Sequence, residues 1–283
     1  MAPRPYAPAV PAALVTGAAR GLGLEIARAL SARELTVHLT DIDGEAVRAA
    51  AAGLAGDAFA SALDVRDAEA CRSAAAATAE RAGSLDVWVN NAGVLFTGHV
   101  WEHSAQTRTL MLEVNTVGTI NGTLAALELM RPAGRGHVIN IVSLAGIGVP
   151  PGEAYYAATK HAALGFSVGT LADLRRDGLK EIHVSAVCPD GIWTPMLEDK
   201  LDDPDAAPSF SGTLLNASDV ALKTAAVLDR PRAVLAIPRW RGWVARLFAT
   251  FPNAAQRAMP LFMADARRRQ KAWKKRIEAG RAP

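Results

Sequence analysis

The stretch Ala12-Ala13-Leu14-Val15-Thr16-Gly17-Ala18-Ala19-Arg20-Gly21-Leu22-Gly23 decides the fold. Its first four residues read as a short buried strand. From Gly21, apolar Leu22, Ile26 and Leu30 recur at four-residue spacing, which predicts a helix to Ala32. Between strand and helix lies a glycine-rich turn. Glycines let a backbone turn tightly and approach a ligand closely. The helix N-terminus beyond them offers free N–H groups and the positive end of its dipole, which suits a pyrophosphate. A plain strand-to-helix turn is the rival reading, and the placement between strand and helix weighs against it.

The rest of the chain continues the alternation. Strands are expected at 35–40, 58–63, 85–89, 137–142, 182–187 and 233–237. Helices are expected at 45–54, 68–82, 110–130, 155–177 and 218–229, the last with Ser218 as its N-cap. Short strands alternating with longer helices predict an α/β fold: a doubly wound, Rossmann-type parallel sheet with helices on both faces. In such a sheet, ligands bind beyond the carboxyl ends of the strands. No linker divides the sheet and no repeat of solenoid length is present. The predicted organisation is a flexible segment 1–10, a Rossmann-type domain 11–238 and a helical, basic, amphipathic extension 239–283.

Composition narrows the class further. The 283 residues are half hydrophobic and about a fifth charged, as in a soluble globular protein. Cys71 and Cys188 lie far apart in apolar or helical surroundings, so a reduced, cytosolic chain is expected and a structural disulfide is not. The proline-rich start lacks an apolar signal core, and no apolar run is long enough to span a bilayer. The net charge is only +3, but it is uneven. From Arg239 onward twelve Lys/Arg face only Asp265 and Glu278, so this tail carries +10 and the remainder about −7.

Asp41 ends the second strand, eighteen residues after Gly23. A carboxylate there can accept hydrogen bonds from both hydroxyls of an adenosine ribose and would repel a 2′-phosphate, which favours NAD over NADP. Arg20 pulls the other way, because a basic residue in the turn could pair with that phosphate. Asp41 carries more weight, since a buried repulsion costs more than an exposed arginine contact gains. Asp41 could instead cap the next helix, a role for which Asp43 competes.

Tyr156 and Lys160 are four apart in Tyr155-Tyr156-Ala157-Ala158-Thr159-Lys160, and Ser143 stands thirteen positions earlier. On a helix, i and i+4 share a face, so phenol and ammonium can point into one site. A cation beside a phenol favours the phenolate and moves it toward the range of a general acid/base. Tyr155 is turned away by about 100° and has the wrong spacing to Lys160. His161 reads as a surface or packing residue. His99 and His103 imitate a metal pair, but no third ligand is evident nearby, so no metal site is expected. Ser143 could simply cap a turn.

With these residues in order, the chain resembles the single-domain branch of the short-chain dehydrogenase/reductase family over residues 11–238. The resemblance rests on Thr-Gly-x-x-x-Gly-x-Gly at 16–23, Asp64-Val65, Asn90-Asn91-Ala92-Gly93, Asn115, Ser143 and Tyr156-x-x-x-Lys160. It implies that Tyr156 exchanges a proton with the substrate oxygen. Lys160 would lower the tyrosine pKa and hold the nicotinamide ribose. Ser143 would bond the substrate oxygen, and Asn115 would hold a water relaying protons from Lys160. The same resemblance implies cofactor contacts at Gly17, Arg20, Gly21, Leu22 and Gly23, and at Asp41 and Ile42. Asp64 would meet the adenine amino group with Val65 beside the ring, and Asn91, Ala92 and Gly93 would pack against the adenosine ribose. A homodimer or homotetramer is implied as well.

One segment departs from the family pattern. Pro-Gly followed by an apolar residue and Thr is usual after the sixth strand. Here the run is Cys188-Pro189-Asp190-Gly191-Ile192-Trp193-Thr194. Pro189, Gly191, Ile192 and Thr194 still match cofactor positions, with Ile192 and Thr194 at the carboxamide. Asp190 either tunes the site or serves the turn. Residues 194–215 read as a substrate lid with apolar Met196, Leu197, Leu201 and Phe210, and Trp193 is a further candidate for the pocket. Such anchors suggest a hydrophobic alcohol or ketone. The tail's interleaved aromatics and arginines fit active-site closure or subunit packing, and also peripheral contact with an anionic membrane. No nucleic-acid-reading module accompanies the charge. The leading expectation is NAD-dependent oxidation and reduction. An NAD-binding regulatory or scaffolding protein without turnover, or epimerase or dehydratase chemistry on the same scaffold, stands as the alternative.

Overall fold

Val37 and Leu39 point to one face of the second strand and His38 to the other, and this alternation recurs through a sheet covered on both sides. The computed structural model describes residues 10–281, so the expected flexible segment 1–10 lies, but for Val10, outside the described residues. Strands β1 (Ala12–Thr16), β2 (Thr36–Asp41), β3 (Ala58–Ala62), β4 (Val87–Asn90), β5 (Gly136–Ile141) and β6 (Ile182–Pro189) are followed by two-residue β7 (Ile192–Trp193) and β8 (Leu215–Asn216). Last comes β9 (Val234–Ile237). Seven of them form one parallel sheet in the order β3-β2-β1-β4-β5-β6-β9, while β7 and β8 pair separately. The order reverses between β1 and β4, which opens a crevice at the strand ends there.

Helices α1 (Gly21–Ser31) and α2 (Gly44–Ala52) pack Ile26, Leu30 and Val47 on the face that carries Val15 and Leu39. Helix α3 (Ala68–Ala82) covers the opposite face around Leu14 and Trp88, together with two helices of the 105–176 region described next. Asp43 and Asp67 cap α2 and α3, each accepting two backbone N–H groups, which stabilises each helix start by about 1 kcal/mol.

The helix expected at 110–130 is longer and not uniform. It starts as α4 (Ala105–Leu112), where Ser104 accepts the Thr107 N–H. It then widens into a π-type turn at Glu113–Val117 and continues as α5 (Gly118–Ala133). Helix α6 (Ala154–Arg176) follows β5. The short α7 (Pro195–Glu198) and a 3-10 turn over Pro204–Phe210 occupy the lid segment. Helix α8 (Ala217–Ala225) begins one residue earlier than expected. Its cap is Asn216, whose side chain accepts from Ser218, so Ser218 is the capped residue and not the cap. The extension forms α9 (Arg239–Thr250) and α10 (Pro252–Glu278). Both cysteines are free and buried. No described helix is long and apolar enough to cross a membrane.

Candidate active site

Gly17 and Gly21 adopt φ of +62° and +59°, which a side chain would strain. At Gly23 a Cβ would collide with the Gly17 carbonyl and the Asn91 amide, so the turn closes only with glycine there. Asn91 Nδ2 donates to the carbonyls of Thr16 (3.0 Å) and Gly17 (2.9 Å). The Thr16 hydroxyl accepts the N–H groups of Asn91 and Ala92 at 3.0 and 3.1 Å. The Asn91-Ala92-Gly93 turn thus braces the glycine turn from the neighbouring strand. Asp41 accepts from the Ala19 and Asp43 N–H groups, both at 3.1 Å, and lines the cavity. Since Asp43 caps α2, Asp41 is left facing the ligand space. Asp64 is gripped by the Arg66 guanidinium at 2.6–2.9 Å, which holds its carboxyl below the usual carboxylate range.

Tyr156 and Lys160 leave the same face of α6. Ser143, just after β5, accepts the Ala145 N–H at 3.0 Å and lines the same cavity as the Tyr156 phenol. It therefore caps a turn and faces the site at once. Burial pushes the Tyr156 phenol well above its ordinary value. The Glu153 charge adds to that rise and the Ser143 hydroxyl opposes it. Burial also lowers Lys160, to about 8, and its Nζ donates to the Ile141 carbonyl at 3.0 Å. The lowering of the phenol expected from Lys160 is not seen in the protein alone, because the ammonium is held on Ile141 and burial dominates. Phenol and ammonium still share one wall, with Lys160 Nζ 5.6 Å from the ring centroid.

Every expected cofactor residue, with Ser143, Tyr156 and Lys160, lines one cavity of about 1160 Å³. That exceeds the roughly 300–1,000 Å³ of ordinary ligand pockets and leaves room for a dinucleotide beside a substrate. The side-chain-free cradle at Gly17 and Gly23, opposite the α1 N-terminus, fits a pyrophosphate. Asn115 is the one expected catalytic or cofactor residue off the cavity wall. It is fully buried in the π-type turn, where its side chain pairs with both backbone groups of Val94 (2.8 and 2.9 Å) and with Thr159 (3.1 Å).

The family described as short chain dehydrogenase matches residues 11–205. The chain belongs to the short-chain dehydrogenase/reductase family. Trans-4-hydroxycyclohexanecarboxylate dehydrogenase of Sinomonas cyclohexanicum is 36% identical over 193 residues, covering 65% of this chain and 73% of that enzyme. Levodione reductase superimposes with a TM-score of 0.73 at 27% identity, over 80% of this chain and 95% of that one. A variant of actinorhodin polyketide ketoreductase with NADPH gives 0.71 at 31% identity, over 81% and 95%. This short-chain dehydrogenase/reductase is accordingly an oxidoreductase of a family that uses nicotinamide cofactors.

At its other end, the cavity of this dehydrogenase/reductase is built from parts beyond the family match. Val244, Phe248 and Ala249 of α9 and Met259 and Phe262 of α10 form an apolar wall. Met196 and Leu197 of the lid line the cavity as expected. Leu201, Phe210 and Trp193 do not. They pack with Leu197, Leu214 and Trp273 into a small core of the lid itself, which corrects the expected pocket role of Trp193. Gln270 of α10 donates to the carbonyls of Lys200 (3.1 Å) and Asp203 (2.7 Å), and Lys274 pairs with Asp202, so α10 is fastened to the segment expected to be the lid. Asp190 is neither a free turn residue nor an open site group. It is buried in a 2.7 Å ion pair with Arg241, which also donates to Ser211 at 2.8 Å, tying the loop after β6, the segment 194–215 and α9 together.

Glu153 was not singled out in the sequence, although it precedes Tyr156 by three and helical geometry places such neighbours together. It is buried on the cavity wall and accepts the Ser209 hydroxyl at 2.7 Å; burial raises its carboxyl to about 7. Arg241 and the wall residues of α9 and α10 were not named individually, although active-site closure was among the readings of this tail. Their signal was amphipathicity, which does not say what a face covers. Tyr155 stacks edge-on with His103 and is outside the cavity, whereas exposed His161 reaches its rim. His99 turns from His103 toward Glu102 and Asp205, with ligand atoms within 4.8 Å of one another.

Proposed function

We propose that the protein is an NAD(H)-dependent oxidoreductase interconverting an apolar secondary alcohol and its ketone. One observation carries this reading. A single cavity is lined at one end by the glycine turn and Asp41, along its course by Ser143, Tyr156 and Lys160, and at the other end by apolar side chains. The bound nicotinamide supplies or accepts the hydride. Tyr156, held protonated by burial, gives its proton to the carbonyl oxygen in reduction and takes it back in oxidation. Ser143 donates to the same oxygen and opposes its drift from the phenol. Lys160 holds the nicotinamide ribose hydroxyls and, once drawn from the Ile141 carbonyl, favours the phenolate. Asn115 shapes the widened helical turn behind Lys160 and positions the water through which the proton leaves. Asp41, with its open face toward the adenosine ribose, favours NAD over NADP.

The named substrate of the Sinomonas relative is a secondary alcohol on a ring that also bears a carboxylate, which supports the alcohol class here. Exposed Leu112, Val117 and Leu124 along α4 and α5, with Val168 on α6, support a homodimer or homotetramer, which sedimentation measures. The deciding experiment follows reduced-nicotinamide absorbance over aliphatic, alicyclic and steroid alcohols and ketones, with NAD and NADP side by side. Substrate-dependent turnover with NAD preferred is expected. Binding of NAD without turnover across the panel would overturn the reading in favour of a non-catalytic binder.

A further inference from the structure

Helix α9 has two unlike faces. Val244, Phe248 and Ala249 line the cavity. Trp240, Trp243 and Leu247, three and four residues apart, form an outward stripe that Phe251, four further on, extends; with Leu261 of α10 these five side chains are 58–77% exposed. Soluble surfaces seldom present so many large apolar groups together. Cations interleave with them. Arg246 lies over the Trp243 ring, and α9 contains no acidic residue. On α10, Arg257, Leu261, Ala264, Arg268, Lys271 and Lys275 recur at alternating steps of four and three, which places them on one face. Among the described residues none of these four cations has an ion-pair partner; the two acids of α10, Asp265 and Glu278, are engaged with Arg269 and Lys274.

We propose that α9 and α10 dock this protein on an anionic lipid surface, with the tryptophan stripe inserted and the basic face against the headgroups. A second copy fits less well. In a two-fold contact the same patch meets itself, which would bring the unpaired cations against one another. Lipid satisfies both features: apolar side chains enter the headgroup–acyl boundary by about 5–10 Å, and each cation gains from the negative surface. Tryptophan suits that depth, because its ring is apolar and its N–H is polar. The cavity adds a reason for such a surface. Phe248 both lines it and remains 40% exposed, so the cavity rim meets the outward stripe. An apolar alcohol dissolved in the bilayer would then reach the cavity beside α9. This last step rests on the proposed substrate class; the docking itself does not.

The full-length protein is mixed with vesicles of phosphatidylcholine alone, or of phosphatidylcholine with a minority of phosphatidylglycerol, and binding is read by co-sedimentation and by quenching of tryptophan emission with brominated lipid. Binding to anionic vesicles that weakens with salt is expected, with neutral vesicles bound roughly tenfold or more weakly. Trp243→Ser with Leu247→Ser, and separately Arg268→Glu with Lys271→Glu, are each expected to weaken binding roughly tenfold or more. Cofactor binding in both variants should be unchanged, which shows that they fold. Absence of binding to anionic vesicles at low salt would overturn the proposal. So would binding indifferent to both variants, or stripe variants that change the sedimenting mass in place of lipid binding, which would assign the face to a second copy. No substrate is present in the measurement, so its failure is distinct from failure of the alcohol screen.

Discussion

Around the glycine turn, the groups that meet are backbone amides, carbonyls and short polar side chains at the ends of β1, β2 and β4. At the opposite end of the same cavity they are Met196, Val244, Phe248, Met259 and Phe262, brought in by the segment 194–215 and two helices, all from the last third of the chain. The first region is held by hydrogen bonds along a rigid parallel sheet. The second is held by packing and a few polar ties, chiefly Arg241 to Asp190 and Gln270 to the lid carbonyls. A shared cofactor calls for one backbone geometry, and strand ends provide it. A particular substrate calls for a particular wall, and appended elements can change that wall without disturbing the sheet.

The sharpest way to break this contrast is at the residue that serves both ends. Tyr156→Phe is expected to lower kcat by about 10²–10⁴-fold, while NAD affinity measured by fluorescence titration holds. Loss of cofactor binding in that variant would mean that the two ends are not separable. Next comes the tie between them. Arg241→Ala leaves Asp190 buried without its partner and is expected to cost about 3 kcal/mol in chemical denaturation. Asp190→Asn in the same background should recover much of that loss. An unchanged midpoint in Arg241→Ala would show that α9 is held by packing alone.

Glu153 offers a pH test of the substrate end. Its carboxyl is raised by burial from 4.5 to about 7, so the folded protein holds a proton that the unfolded chain releases. The native state therefore carries no penalty below pH 4.5, an increasing one from 4.5 to 7 and the whole of it above 7. Glu153→Gln should match the parent in stability near pH 4 and exceed it at pH 8 by up to roughly 3 kcal/mol. Equal stability at both pH values would place the carboxyl in contact with water. The smallest effect is expected at the cofactor end. Asp41→Ala should shift the NAD:NADP preference in kcat/KM by about tenfold toward NADP, the scale of one charge-assisted hydrogen bond. No shift would remove Asp41 from cofactor choice.

The expected site residues and the structure agree most closely where a motif is contiguous. Thr16 to Gly23, Asn91 to Gly93 and Tyr156 to Lys160 each place their atoms through local geometry, a turn or one helical face, and all but Asn115 of the expected catalytic and cofactor residues line the cavity. The widening at Glu113–Val117 was not legible, because the apolar pattern there is also that of an ordinary helix and only packing against Val94 and Thr159 shows why it widens. Trp193 misled for a related reason. Its neighbours in sequence line the cavity, but its indole finds Leu197 and Phe210.

By itself, then, the amino-acid sequence determined the alternation of strands and helices, the glycine turn and the placing of Ser143, Tyr156 and Lys160 on one cavity, since these depend on spacings of a few residues. Only the tertiary structure decided the rest. Asp190 meets Arg241 across 51 positions, Glu153 meets Ser209 across 56, and α9 turns one face to the cavity and one outward. Periodicity announces that a helix has an apolar face; which surface that face meets depends on where the whole chain brings it.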